Sequence, residues 1–375
     1  MTAIARVVSR AAEIDPADWN ACAGTANPFV SHAFIDILEQ SGSATDRMGW
    51  RPAHVVVDGP DGRPVAIAPA YLKSHSQGEY VFDFAWADAY QRGGGHYYPK
   101  LQIASPFSPV PGPRLLLRDD ADAPTLIAAI ESAVAQWSLS SAHATFVDPV
   151  QVPLFEAAGW LIRTGEQFHW TNDGYADFEA FLAALSSRKR KAIRKERSVA
   201  QAGIDIEHLT GAAITEAHWD VFWDFYQDTG ARKWGQPYLT REFFSMLGAR
   251  MGDKVLLILA RDGDRIIAGA LNLIGADTLY GRYWGCSEDR PCLHFELCYY
   301  QAIDAAILRG LKRVEAGAQG HHKLARGYLP VATWSAHFIA HPGLKRAIAE
   351  FLEREREAIA ADIEAISELT PFKRG

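Results

Sequence analysis

The chain has 375 residues, enough for roughly two domains. Hydrophobic residues make up 48% and charged residues 22%, which supports a buried core and argues against wholesale disorder. A formal charge of −7 argues against an all-over nucleic-acid binder and leaves room for a local basic site.

No apolar run approaches the roughly 20 residues of a membrane span. The longest clean run is 255–260. Arg6 and Arg10 interrupt the N-terminal stretch, so neither export nor insertion is expected, and a cytoplasmic location follows. The four cysteines form no CxxC pair and are expected as reduced thiols. Cys286, Cys292 and Cys298, with His294 among them, lack the tight paired spacing of a zinc site, so no metal is expected.

In chain order, Pro28-Phe29-Val30-Ser31 followed by Phe34 and Leu38 predicts a helix capped by Ser31. Strands are predicted over 54–57, 65–72 and 79–86, with turns at 58–62 and 77–78. The stretch 106–113 is proline-rich and reads as a rigid loop. A helix over 125–137 and a strand over 144–147 follow. Over 177–202, Phe178, Phe181, Leu182, Leu185 and Ile193 fall at helical spacing and predict one amphipathic helix.

The second half repeats the pattern. Pro237-Tyr238-Leu239-Thr240 precedes Phe243 and Leu247, each matched position lying 209 residues after its counterpart. Thr240 stands where Ser31 stood. Strands are predicted over 255–260, 265–274 and 278–286, then a helix over 295–309, a strand over 313–316 and a final amphipathic helix over 343–367. The shared order favours a duplication. The expected organisation is 1–170, a linking helix within 171–202, and 203–375.

This order is that of the GNAT acyltransferase fold. The expected class is therefore α/β in layers, with two tandem GNAT-like domains, each a mostly antiparallel sheet flanked by helices. The segments SRKRKAIRKER, RKWGQPYLT, LYGRYWGC, LHFELCYYQAI, EAGAQGHHKLARG and YVFDFAWADAY resemble the FemAB-like family of bacterial N-acyltransferases, labelled for peptidoglycan biosynthesis or recognition. The resemblance runs from about Asn27 to Lys373. It implies kinship with Fem transferases, which have tandem GNAT domains and use aminoacyl-tRNA as donor. His321 departs from the pattern, which has an acid at that position.

GNAT enzymes that use acyl-CoA carry a glycine-rich turn after the central hairpin, where backbone N–H groups cradle pyrophosphate. Here residues 285–294 read GCSEDRPCLH, with two acids, a proline and no glycine pair. That disfavours a standard acetyl-CoA site, and the co-substrate is left between acyl-CoA and aminoacyl-tRNA. The acyl donor is expected to carry phosphate. Its candidate contacts are Arg188, Arg190, Lys191 and Arg194, from a run of seven cations in ten residues, with tRNA as one possible source.

A second polar group gathers in the second half. Arg232, Lys233, Trp234, Arg282, Trp284, His294, Gln319, Lys323 and Arg326 are candidate substrate contacts. Glu296 and Glu315 are candidate proton acceptors for an amine nucleophile, with Tyr283 and Tyr300 as further catalytic candidates. Glu296 opens an otherwise apolar helix; its rival role is as the buried partner of an arginine. The expected reaction is acyl or aminoacyl transfer to an amine. The alternatives are an acetyl-CoA-dependent acetyltransferase and a non-catalytic module that binds an envelope precursor or RNA.

Overall fold

The computed structural model describes residues 4–234, 237–317 and 320–373, and the side chains of residues 230–234 and 321 fall outside that description. The chain divides into two compact units. Unit 1 comprises Met1–Gly165 and Ala332–Asp362; unit 2 comprises Glu166–Val331 and Ile363–Gly375.

Unit 1 opens with β1 (Ile4–Val8), α1 (Pro16–Ala23) and α2 (His32–Gln40). The Ser31 hydroxyl accepts from the Phe34 N–H and caps α2, as its spacing predicts. β2 (Trp50–Pro52), β3 (His54–Asp58), β4 (Pro64–Ala68) and β5 (Ala70–Lys73) follow. The single strand predicted over 65–72 is cut at Pro69, which has no N–H for a ladder. β4 pairs with β3 while β5 pairs with β2, in different sheets.

The strand predicted over 79–86 does not form. Gly78 and Tyr80 take φ values of 79° and 61°, which turn the chain out of an extended path. Residues from Phe84 onward form α3 (Phe84–Arg92), and β6 (Lys100–Ile103) becomes the partner of β5. β7 (Leu116–Leu117), α4 (Ala123–Gln136), β8 (Ser141–Val147) and α5 (Val152–Ala157) complete the run, with β8 parallel to β6. Leu126, Ile127, Ile130 and Val134 form the buried stripe of α4 and share one core with Val55, Val57, Ala66 and Ala68.

β9 (Leu161–Thr171) spans the boundary at 165. In unit 2 come α6 (Phe178–Ala184) and α7 (Ser187–Ala200), so the single helix predicted over 177–202 is two. Leu185 is extended and bridges to Phe372, and the Ser186 N–H donates to the Pro371 carbonyl at 2.9 Å. That pairing with the C-terminal segment outweighs the local helical pattern. β10 (Asp205–Leu209), α8 (Glu216–Trp234) and α9 (Arg241–Met251) follow, and Thr240 caps α9 through the Phe243 N–H.

The second meander matches its prediction closely: β11 (Val255–Asp262), β12 (Arg265–Ile274) and β13 (Thr278–Cys286) are antiparallel neighbours. A helix over 293–308, α10, consists of Leu293–Phe295, a π-helical turn Glu296–Tyr300 and Gln301–Leu308. β14 (Arg313–Glu315) runs parallel to β13 and antiparallel to β9. The core of unit 2 gathers Trp170, Phe181, Ile193, Ile258, Leu297, Ile303 and Val314. β15 (Leu329–Ile339) then pairs with β8, and α11 (Pro342–Glu368) buries Ile348 and Leu352 in a cluster with Trp86, Tyr97 and Ile339.

Both units are therefore mixed α/β, with sheets flanked by helices; in unit 1, β1, β3, β4 and β7 form a sheet of their own. In unit 2 the order is helices, meander, helix, parallel strand, which is the GNAT-like arrangement. Among the described residues, no helix is long and apolar enough to cross a membrane.

Candidate functional site

The parallel ladder between β13 and β14 has only three pairs, from Thr278↔Arg313 to Tyr280↔Glu315, whereas β13 continues to Cys286. On its other side β13 stays paired with β12, with a register shift that makes Arg282 an extra residue between Tyr283 and Gly281. A bulge of this kind bends a strand and re-aims its side chains. The sheet thus opens after Tyr280, with Glu315 at the end of the shorter strand. Gly285 lets α8 pack against this segment, because a Cβ there would meet the Phe225 carbonyl oxygen at 2.4 Å.

Glu315 is buried, and its Oε2 has no hydrogen-bond partner among the described residues. Burial raises its pKa to about 8; Asp277 adds to the rise, and Arg313 and Arg282 oppose it. Arg313 Nε stands 3.5 Å from Oε1. His169 Nδ1 lies 4.0 Å from the same oxygen, while its Nε2 contacts Gln167 Oε1 at 3.0 Å. That contact assigns the proton to Nε2. Burial lowers the His169 pKa to about 3, so the ring stays neutral and gives the carboxylate no positive partner. Such a carboxyl group can exchange a proton near neutral pH.

Glu296 stands differently. Its side chain is fully buried, and Oε1 accepts from Arg197 Nη2 at 3.0 Å, Gln201 Nε2 at 2.8 Å and Gln301 Nε2 at 2.7 Å. The expected acid–base group is therefore enclosed by donors from α7 and its own helix, the arrangement of a structural ion pair. Arg197 also reaches Asp304 at 2.8 Å.

Glu196, the only acid in the basic run, turns inward as well. It accepts from Arg326 Nη2 at 2.9 Å and from the Tyr300 hydroxyl. Burial, reinforced by Glu196, raises the Tyr300 pKa, so the phenol is a fixed donor. Arg326 lies over the Phe295 ring at 3.5 Å. Glu196 and Arg197 thus pin α7 to α10 from adjacent positions. Arg188, Lys191 and Lys195 share the opposite, exposed face. Arg190 is half-buried, and Arg194 is exposed and pairs with Glu179.

The remaining candidates scatter around α10. His294 packs edge-on against Trp284 at 5.2 Å and Tyr299 at 5.4 Å. The Tyr283 ring meets Tyr226 at 5.1 Å and lies under Arg282. Lys323 is buried, donates to the Gly317 carbonyl at 2.8 Å, and has its pKa lowered to about 8 by burial. Gln319 lies outside the described residues, as do the side chains of Arg232, Lys233 and Trp234.

Sequence reading passed over two features. The π-helical turn at Glu296–Tyr300 follows Cys292, whose φ is 63°, and neither leaves a periodic signal. In unit 1, Lys73, Glu79, Asp83 and Lys100 are all buried together, a grouping that no spacing in the sequence announces.

The chain matches the family model FemAB-like, described as peptidoglycan biosynthesis/recognition, over residues 10–374. No curated protein sequence matches it. Among solved structures it is similar to FemX, at 12% identity and a TM-score of 0.54, covering 93% of this chain and 100% of that one. It is also similar to L-PGS from Bacillus licheniformis, at 10% identity and a TM-score of 0.53, covering 88% and 98%. A conserved protein of unknown function from Bacteroides thetaiotaomicron gives 11% identity and a TM-score of 0.51, covering 89% and 100%. At such identities the structures establish a shared fold, while the family match extends over nearly every residue. The chain belongs to the FemAB-like family of peptidoglycan biosynthesis or recognition.

Proposed function

We propose that the chain is an N-acyltransferase that moves an acyl or aminoacyl group from a phosphate-containing donor to an amine acceptor. The observation that carries this reading is Glu315, a buried carboxyl with a pKa of about 8 at the point where β13 outruns β14. Membership of a peptidoglycan-related family and the fold shared with FemX and L-PGS support it.

The amine nitrogen attacks the donor's acyl carbon, and a C–N bond forms. Glu315, in its ionised form, takes the proton that the nitrogen must lose. Backbone N–H groups of β13 beyond Tyr280 and the Tyr283 hydroxyl are the candidate donors to the tetrahedral oxyanion. Collapse breaks the bond between the acyl carbon and the donor's oxygen or sulfur, and the proton on Glu315 leaves with that atom. Tyr300 and Glu296 hold α10 and α7 in place on this reading. Arg188, Arg190, Lys191 and Arg194 hold the donor's phosphates. Arg282, Trp284, His294, Lys323 and Arg326 serve substrate binding, together with Arg232, Lys233, Trp234 and Gln319.

The test is acyl transfer from aminoacyl-tRNA and, separately, from acetyl-CoA to amine-bearing peptidoglycan precursors. Transfer from aminoacyl-tRNA that Glu315→Gln abolishes without loss of melting temperature supports the proposal. Transfer from acetyl-CoA alone would identify the acetyltransferase. Precursor binding with no transfer from either donor would identify a binding module.

A further inference from the structure

Unit 1 holds a second polar centre, which the proposed transfer does not use. Lys73 and Lys100 are direct cross-strand partners in the antiparallel β5–β6 pair, and both are fully buried. Like charges placed opposite each other repel, and more so away from water. Further hydroxyls come from Tyr97 and Tyr98, just before β6, and from Ser76 in the loop after β5, whose Oγ accepts from Lys100 Nζ at 2.8 Å. The Tyr97 hydroxyl donates to Asp83 at 2.7 Å, and the Tyr98 and Ser76 hydroxyls meet at 2.8 Å. Every anion at the lysines comes instead from the one loop between β5 and α3. Glu79 Oε2 lies 2.7 Å from Lys100 Nζ, and Asp83 Oδ2 also binds Lys100.

The loop's carboxylates fill this donor set imperfectly. Glu79 Oε1 and Asp83 Oδ1 are buried without a hydrogen-bond partner among the described residues. Lys73 Nζ donates to the Gln77 carbonyl at 3.1 Å but stands 3.9 Å from Glu79 Oε1. Burial, with Lys100 adding repulsion, lowers the Lys73 pKa to about 7. On its outer side the loop meets Arg163, which donates to the Phe82 carbonyl at 2.7 Å, and His75, whose Nε2 lies 3.1 Å from the Met48 carbonyl. Tyr80 takes a left-handed φ of 61°, and Phe82 and Phe84 stack on each other while 51% and 49% exposed.

We propose that Lys73 and Lys100, with the Tyr97 and Tyr98 hydroxyls, form a binding site for a phosphate-type dianion that the loop 74–83 occupies with its own Glu79 and Asp83. A ligand phosphate offers more oxygens than either carboxylate and can engage both lysines. Binding displaces the loop, and the acidic side chains go to solvent. Opening gives up little burial at Phe82, which is already 51% exposed. This site is independent of the cationic face of α7.

The test uses the full chain and inorganic pyrophosphate at fixed ionic strength, read by titration calorimetry. Wild type is expected to bind, Lys73→Met to lose binding, and Glu79→Gln to bind about tenfold more tightly because the competing anion is gone. Chymotrypsin cleavage after Tyr80 or Phe82, mapped by mass spectrometry, should accelerate in wild type at saturating pyrophosphate. This second readout needs no variant to fold. Binding that is lost only when Arg188, Lys191 and Lys195 are replaced would locate it at α7 and overturn the proposal. So would equal affinity in wild type, Lys73→Met and Glu79→Gln, or no heat and no change in cleavage.

Discussion

One guanidinium holds two carboxylates: Arg197 lies 3.0 Å from Glu296 and 2.8 Å from Asp304. Its neighbour Glu196 binds Arg326 and Tyr300 on the same side of α7. The two adjacent residues carry opposite charge, and each finds its complement on the inner face. The helix is thereby fixed in rotation, which keeps Arg188, Lys191 and Lys195 on the outside.

Replacing Arg197 by Met should cost about 3–5 kcal/mol, because Glu296 would be left buried without a positive partner. Glu296→Gln should be milder, since Arg197 keeps Asp304 and the amide keeps two of its neighbours. Denaturant unfolding measures both. If Glu296→Gln instead keeps full stability and loses about 10²-fold in turnover, Glu296 carries the proton.

Glu315→Gln should reduce turnover by about 10²-fold or more. In wild type, kcat/KM should rise with pH to a plateau above about 8, where the carboxylate form dominates. The variant should lack that limb. An unchanged pH profile in the variant would remove Glu315 from the reaction.

Stability should also depend on pH in a defined sense. Burial holds His143 and His169 at about 3 and His337 well below its ordinary value. Between about pH 3 and 6.5 the unfolded chain binds up to three protons that the folded chain does not, so stability falls as the solution is acidified. Glu79 and Glu315, raised to about 7 and about 8, act in the opposite direction above their ordinary 4.5, because there the folded state keeps the proton. The melting temperature should therefore fall between pH 6.5 and 4.5, and fall more steeply in Glu315→Gln, which removes one opposing group. A shallower fall in that variant would contradict the assignment.

Arg188, Lys191 and Arg194 changed together to Ala should weaken binding of charged tRNA. The slope of log affinity against log salt should drop by about 2–3 if all three meet phosphate. Stability should move by no more than about 0.5 kcal/mol, because these side chains are exposed. Filter binding across a salt series, with a melting curve for each protein, measures both. An unchanged slope would mark the face as solvated surface only.

The amino-acid sequence by itself determined the local elements whose signals are local. Ser31 and Thr240 cap their helices because a hydroxyl at that spacing meets the N–H three residues on. β11, β12 and β13 follow from apolar and aromatic runs bounded by turns at 262–263 and 275–277. Glu315 was legible as a carboxylate at the end of a parallel strand, and the cation run as a cluster too dense to bury. Tertiary structure decided which carboxylate is enclosed by close donors. Glu296 and Glu315 are both buried glutamates, yet Arg197 arrives from a helix 99 residues away to neutralise one, while a neutral His169 faces the other. It also split the helix predicted over 177–202, because Leu185 pairs with Phe372. Lys73, Glu79, Asp83 and Lys100 form a centre only when β5 and β6 are laid side by side and the loop folds back. Periodicity reports which face of an element is apolar; the partner that a buried charge meets is set by distant chain, and that pairing fixes the pKa and the role.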